Sequence, residues 1–292
     1  MNNPDTLVLS GASTKVMCFL GVFRALYEKG ILKENLEGIK EIHTLSIGAF
    51  YSICLILKIS EKALYECLIK CDFNNLINKD EIDFNNVIYS LGIINHENYF
   101  RKIMKHIFLH KFQKEDITLK ELYDYNPILL NIKCVNISKQ CSIHFNYKKY
   151  PNISVTKLLI MTTTLPIFFK PLKYKGDYYV DGGLSGNLPV EKIKSKNTLC
   201  IHIKRASKSI DKEDIPLLGF LQRMCTVSSL SYQKYEKKSI NIPINISTYD
   251  FNISKNIKDD SIKMSYELTL KRINDKDFYF TPNQSRDQPL QP

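Results

Sequence analysis

The chain reads as an α/β protein with a mostly parallel central sheet, on three observations. Strand and helix patterns alternate through the first hundred residues, the first strand turns at Ser10–Lys15 into a helix, and the second turns at Thr44–Gly48 into another. Thr6-Leu7-Val8-Leu9 opens as a strand. The helix after it runs from about Lys15 to Lys29, with Val16, Met17, Phe19, Leu20, Val22, Phe23 and Leu26 covering most of its circumference, and Gly30 stops it. Ile39 to Leu45 is the second strand, Ile47 to Ile59 a buried helix, and Glu61 to Ile77 a third helix. The apolar stretch Ile42–Ile59 is interrupted by His43, Thr44, Ser46, Ser52 and Lys58, so it reads as strand, turn and core helix and not as a membrane span.

Glu97 to Phe112 is an amphipathic helix with Phe100, Ile103, Met104, Ile107 and Phe108 on one side. Thr118-Leu-Lys-Glu121 is a capping box that starts a short helix. Ile128–Val135 and Cys141–Tyr147 read as strands joined by Asn136–Gln140. Ser154 caps a helix reaching Thr162, after which Pro166 and Pro171 impose an extended loop. Tyr178–Val180 is a strand ending in Asp181-Gly182-Gly183. The remaining elements are a strand Thr198–Lys204, a long helix Leu217–Lys237, a strand Ile242–Ser247 and a helix Asp260–Ile273. These patterns place one domain over residues 5–280 and a disordered tail over 281–292.

Composition narrows the function classes. The 292 residues, 44% hydrophobic and 24% charged, suffice for a sizeable core. A formal charge of +11 attracts anionic surfaces, although a Lys-dominated, Ile-, Asn- and Tyr-rich composition accounts for it equally well. No nucleic-acid module is recognisable, so no specific nucleic-acid partner is expected. Eight irregularly spaced cysteines without Cys-x-x-Cys read as reduced, buried thiols of a cytoplasmic protein. The five Asn-x-Ser sequons reflect composition, because Met1–Asp5 carries no positive charge and no signal peptide is expected. His106 and His110 have metal-pair spacing but no acidic third ligand, and Cys67 and Cys71 are discounted likewise, so no metal is expected.

Three segments can converge at the carboxyl edge of the sheet. The Ser10–Lys15 turn presents backbone N–H groups to an anion, the Thr44–Gly48 turn exposes the Ser46 hydroxyl, and Asp181 ends a strand before two turning glycines. Read alone, Ser46 is an unremarkable serine after an apolar strand and Asp181 a turn residue.

Together the motifs resemble the patatin-like phospholipase family. Leu7-Val-Leu-Ser-Gly11, Lys15 and Gly21–Leu26 resemble its oxyanion loop and first helix, and Thr44–Gly48 its serine elbow. Thr163–Pro166, Phe168, Pro171, Tyr179–Leu184 and Asn187-Leu-Pro189 resemble its closing block, with order and spacing held from about residue 6 to 204. The resemblance implies a patatin-like three-layer α/β/α sandwich and a Ser46–Asp181 dyad that cleaves acyl esters of phospholipid or related lipid through an acyl-enzyme, without histidine, metal or organic cofactor. It further implies an oxyanion loop of Gly11, Ala12, Ser13, Thr14 and Lys15, support from Thr44, Gly48, Gly182 and Gly183, and work at a membrane surface by a peripheral protein.

The chain departs from the family's Gly-Gly-Gly-x-Lys/Arg-Gly loop at Ala12, Ser13 and Val16, and from its elbow at Thr44. A left-handed φ costs a non-glycine residue about 1–2 kcal/mol and suits β-branched Val16 badly. Thr44 is expected to crowd the elbow. Two readings follow: an acyl hydrolase, or a degenerate patatin fold kept as a lipid-binding or protein-interaction module. Lys15 reads equally as a loop residue and as a solvated first-turn side chain.

Overall fold

The computed structural model describes residues 3–71, 91–205, 239–246 and 250–275. In chain order these form β1 (Thr6–Leu9), α1 (Cys18–Glu28), β2 (Glu41–Leu45), α2 (Ser46–Ile56), α3 (Glu61–Lys70), β3 (Gly92–Ile94) and α4 (Glu97–Phe112). There follow α5 (Leu119–Tyr125), β4 (Leu129–Asn136), β5 (Cys141–Phe145), α6 (Val155–Thr163), β6 (Ile167–Phe169), β7 (Leu172–Tyr174), β8 (Asp177–Asp181), β9 (Thr198–Arg205), β10 (Ser239–Ile244) and α7 (Lys255–Ile273). The helix read at Leu217–Lys237, the tail, Cys225 and the Asn283 sequon lie outside the described residues.

The main sheet runs β10-β9-β1-β2-β4-β8-β7, with β5 also paired to β4. The five strands from β10 to β4 are parallel and β5, β7 and β8 are antiparallel, so the sheet is mostly parallel, and helices flank it. Its strands are apolar because helices cover them, as expected for parallel strands. The inward residues Leu7, Leu9, Ile42, Ile132, Ile201 and Ile242 join one large core with α1 and α2, while Val8, Leu188, Val190 and Cys200 form a small second cluster.

The register of β4 sets the site. Leu45 of β2 lies opposite Lys133, and Asp181 of β8 lies opposite Cys134, the next residue. Because β5 takes the other edge of β4 over Ile132–Asn136, β2 and β8 share one edge. They approach end to end from opposite directions. The chain leaves at Ser46 and arrives at Asp181 on consecutive positions of the same strand.

α1 is apolar over most of its circumference because it packs on the core and against α7, leaving Arg24 exposed. A Cβ on Gly21 would stand 2.1 Å from the Ile262 carbonyl oxygen, so the two helices pack backbone to backbone there. The Thr118 capping box and the Ser154 cap form as expected. Several expectations need correction. The chain between Pro166 and Pro171 is not an extended loop: Ile167–Phe169 pairs with Gly92–Ile94 as a separate two-stranded sheet. Lys15 starts no α-helix but ends a 3₁₀ turn, Ser13–Lys15, and α1 begins at Cys18. α7 starts at Lys255, capped by Ser254, five residues before the sequence placed it. Cys67 and Cys141 are exposed, so the cysteines are not uniformly buried. No helix among the described residues is long and apolar enough to cross a membrane.

Candidate active site

Ser46 opens α2 with φ +52°, the left-handed conformation of a sharp strand-to-helix turn. α6 holds this strained residue. The Ser46 N–H donates to Thr162 Oγ1 at 2.8 Å, and Thr162 Oγ1 donates to the Lys133 carbonyl at 2.7 Å. One turn along, Gly48 lets α2 pass against the first strand: a Cβ there would lie 2.3 Å from the Ser10 carbonyl oxygen and 2.9 Å from Thr44 Oγ1. Thr44 is fully buried and fits because Gly48 leaves it room, so the elbow is not crowded as expected.

Asp181 is 4% exposed. Its N–H donates to the Thr164 carbonyl at 2.8 Å and its Oδ1 accepts from Gly183 N–H at 2.7 Å. The Ser46 side chain stands close enough to this carboxylate to favour its charged form. Burial raises the Asp181 pKa from 3.8 to about 6, opposed by the Ser46 side chain, the Gly183 N–H and the Lys133 charge. That value suits a general base near neutrality.

The loop of the first strand abuts Ser46. A Cβ on Gly11 would fall 3.2 Å from Ser46 Cβ and 2.5 Å from Asn187 Oδ1, which makes glycine necessary there. Asn187 Nδ2 donates to the Gly11 carbonyl at 3.1 Å and ties the loop to the Asp181 turn. Glycine depletion elsewhere strains the backbone at one position. Only Ser13 takes a left-handed φ, +50°, while Ala12 and Val16 sit at −133° and −54°. The cost feared for Val16 does not arise. Lys15 is 3% exposed, which sets aside its reading as a solvated side chain.

Ser13, Thr14 and Ser46 line one open cleft with Ile47, Phe100, Thr163, Leu165, Phe169 and Phe251. Its walls are almost wholly apolar, as an acyl chain requires. His96 stacks behind Phe169 at 4.2 Å, and burial lowers its pKa to about 4, so it serves this wall as a neutral ring. Gly182 packs where a Cβ would meet the Lys133 carbonyl oxygen at 2.4 Å, and Gly183 frees its N–H for Asp181. The described residues hold no cluster of three metal-ligating side chains, and His106 and His110 stay on α4 away from this cleft.

Lys133 and Thr162 were not singled out from sequence as site residues, and Asn187 only as part of the closing block. Lys133 left a signal, a lysine inside the apolar run Ile128–Val135. Its side chain is wholly buried, and its ammonium donates to the carbonyls of Ser185 and Gly186, both at 3.1 Å, and to Glu191 Oε1 at 2.6 Å. It thereby holds the turn that follows Asp181. Lys133→Met is expected to lower stability by about 3 kcal/mol, through two orphaned carbonyls and the loss of the buried charge facing Glu191, and the melting midpoint by roughly 10 °C. Thermal melts of the variant and of Lys133→Arg, which keeps the charge, check this.

The chain resembles known proteins in sequence family and in fold. Residues 7–193 match the family model described as Patatin-like phospholipase. The chain is 26% identical over 249 residues to a protein named "Probable lipid hydrolase 463L" of Invertebrate iridescent virus 6, covering 85% of this chain and 80% of that one. Among solved structures, VipD from Legionella pneumophila matches with a TM-score of 0.60 at 14% identity, over 92% of this chain and 66% of VipD. The type III effector ExoU matches with a TM-score of 0.51 at 16% identity, over 92% of this chain and 52% of ExoU. The chain thus spans about half to two thirds of those two longer proteins, and likeness at such identity is one of fold. The family match covers most of the chain and includes the Gly11 loop, Ser46 and Asp181: the protein belongs to the patatin-like phospholipase family.

Proposed function

We propose that this protein is a lipid acyl hydrolase that cleaves ester bonds of phospholipids or related acyl lipids at a membrane surface, with Ser46 as nucleophile and Asp181 as base. One observation carries the reading: Ser46, at a left-handed strand-to-helix turn that lines an apolar cleft, stands beside the buried Asp181 carboxylate and favours its charged form. Family membership supports lipid hydrolysis in general. Ser46 Oγ bonds to the ester carbonyl carbon as its proton passes to Asp181, and the carbonyl π pair moves to the oxygen. The carbonyl re-forms as the ester C–O bond breaks, and the leaving alkoxide takes the proton from Asp181. Water then repeats the sequence on the acyl-enzyme, with Asp181 again the base. In this mechanism backbone N–H groups of the Gly11 loop and of the first turn of α2 hold the developing oxyanion.

Membrane-surface action is supported by the strand tips. β4, β7 and β8 continue past the level of Asp181 for several residues, roughly 10 Å at 3.3 Å per residue. There Ile137 and Tyr178 are exposed side by side, joined by the Ile137 N–H to the Tyr178 carbonyl, with Lys139, Lys173 and Lys175 around them. Lys173 lies 5.4 Å from the Tyr178 ring centre and Lys175 5.6 Å from that of Tyr174. Asp177 offsets only one of the three charges, through Lys139.

Fatty-acid release from phosphatidylcholine vesicles with and without an anionic lipid tests the reading. Release is expected from both, several-fold faster from the anionic ones, with the difference removed by Lys173→Glu plus Lys175→Glu. No release from either kind, together with no labelling of Ser46 by a fluorophosphonate, would leave the degenerate binding module as the better account.

A further inference from the structure

Thr14 has a feature that the backbone role of its loop does not use. Its residue is 3% exposed, and its Oγ1 is buried with no hydrogen-bond partner. Buried polar atoms without a hydrogen-bond partner also lie on His43, Thr44, His96 and His144, none of which lines the cleft beside Ser46. Thr14 does. A hydroxyl shut in an apolar wall without a partner costs free energy, and valine would fill the same space without that cost. A partner present only during turnover resolves the mismatch. In a cleft walled by Ile47, Phe100, Leu165, Phe169 and Phe251, the acceptor must come from the occupant, and the only polar group that an acyl chain brings to Ser46 is its ester.

We propose that the Thr14 hydroxyl is a side-chain oxyanion donor, hydrogen-bonding the carbonyl oxygen of the scissile ester as Ser46 adds to it. This inference rests on the hydrolase reading and extends it. Such a donor acts most strongly on the charged intermediate, so its loss falls on kcat and not on KM. A side-chain donor also supplies what a loop poor in glycine offers less freely through its backbone.

The test compares wild type, Thr14→Val and Thr14→Ser on a soluble p-nitrophenyl ester of a short fatty acid, with thermal melts of all three. Thr14→Val is expected to lose about 100-fold in kcat at nearly constant KM, the size of one lost oxyanion donor. Its melting midpoint should equal or exceed that of wild type, since no bond of the resting protein is broken. Thr14→Ser should recover at least a tenth of the wild-type kcat. An active wild type with Thr14→Val within threefold of it, or with Thr14→Ser as poor as Thr14→Val, overturns the role of Thr14 and leaves the dyad standing. A wild type inactive on this ester and on vesicles overturns both.

Discussion

Alanine at Ser46 is expected to reduce fatty-acid release by about 10⁴-fold or more and to abolish labelling by a fluorophosphonate. The expectation rests on position as much as on chemistry. Ser46 is held at φ +52° by the Thr162 clamp, its side chain stands beside the Asp181 carboxylate, and Gly11 packs against its Cβ. Alanine keeps the backbone, the Thr162 clamp and the Cβ contact with Gly11, so the fold should survive. A midpoint within a few degrees of wild type, alongside lost release, separates a missing nucleophile from a disrupted elbow. Release above a tenth of wild type from Ser46→Ala would refute the proposed mechanism.

Asp181→Asn should cut kcat by about 10³-fold, within the range of a lost general base, and stabilise the protein. The sign follows from linkage. The folded-state pKa of about 6 lies above the ordinary value of 3.8, so between those pH values the folded protein holds a proton that the unfolded chain releases. Stability therefore falls as pH rises from about 4 to 6 and stays lower above it. At 1.36 kcal/mol per unit the buried charge costs roughly 3 kcal/mol at pH 8, and asparagine removes it while weakening the interactions with Gly183 and Ser46. A net gain of about 1–2 kcal/mol is expected at pH 8 and a smaller one at pH 5, read from thermal melts. In the wild type, kcat/KM should rise with pH through about 6 and then level, because only the carboxylate accepts the Ser46 proton. A flat profile from pH 5 to 8 would exclude Asp181 as the titrating base.

Elements with a strong local signature were legible. The capping box at Thr118, the stop at Gly30 and the amphipathic Glu97–Phe112 fell where the residues placed them. Short strands did not. Gly92–Ile94, Ile167–Phe169 and Leu172–Tyr174 have three residues each, too few for an alternating pattern, and they exist because partner strands receive them. The start of α7 was missed because Lys255–Asp260 is largely polar, and its only announcement is the Ser254 cap.

What the sequence determined by itself was local: the alternation of strands and helices, Ser46 at a strand end, Asp181 before two glycines, and their order along the chain. Only the tertiary structure decided that Ser46 and Asp181, 135 residues apart, share one edge of β4 at consecutive positions. It also decided that Ser13 takes the left-handed φ while Val16 does not, that Lys133 is buried beneath the Asp181 turn, and that Thr14 faces the cleft without a partner. The reason is physical. Propensity, capping and turn chemistry act over a few residues and are written there, whereas register, burial and the pKa that burial sets depend on which distant segments pack together.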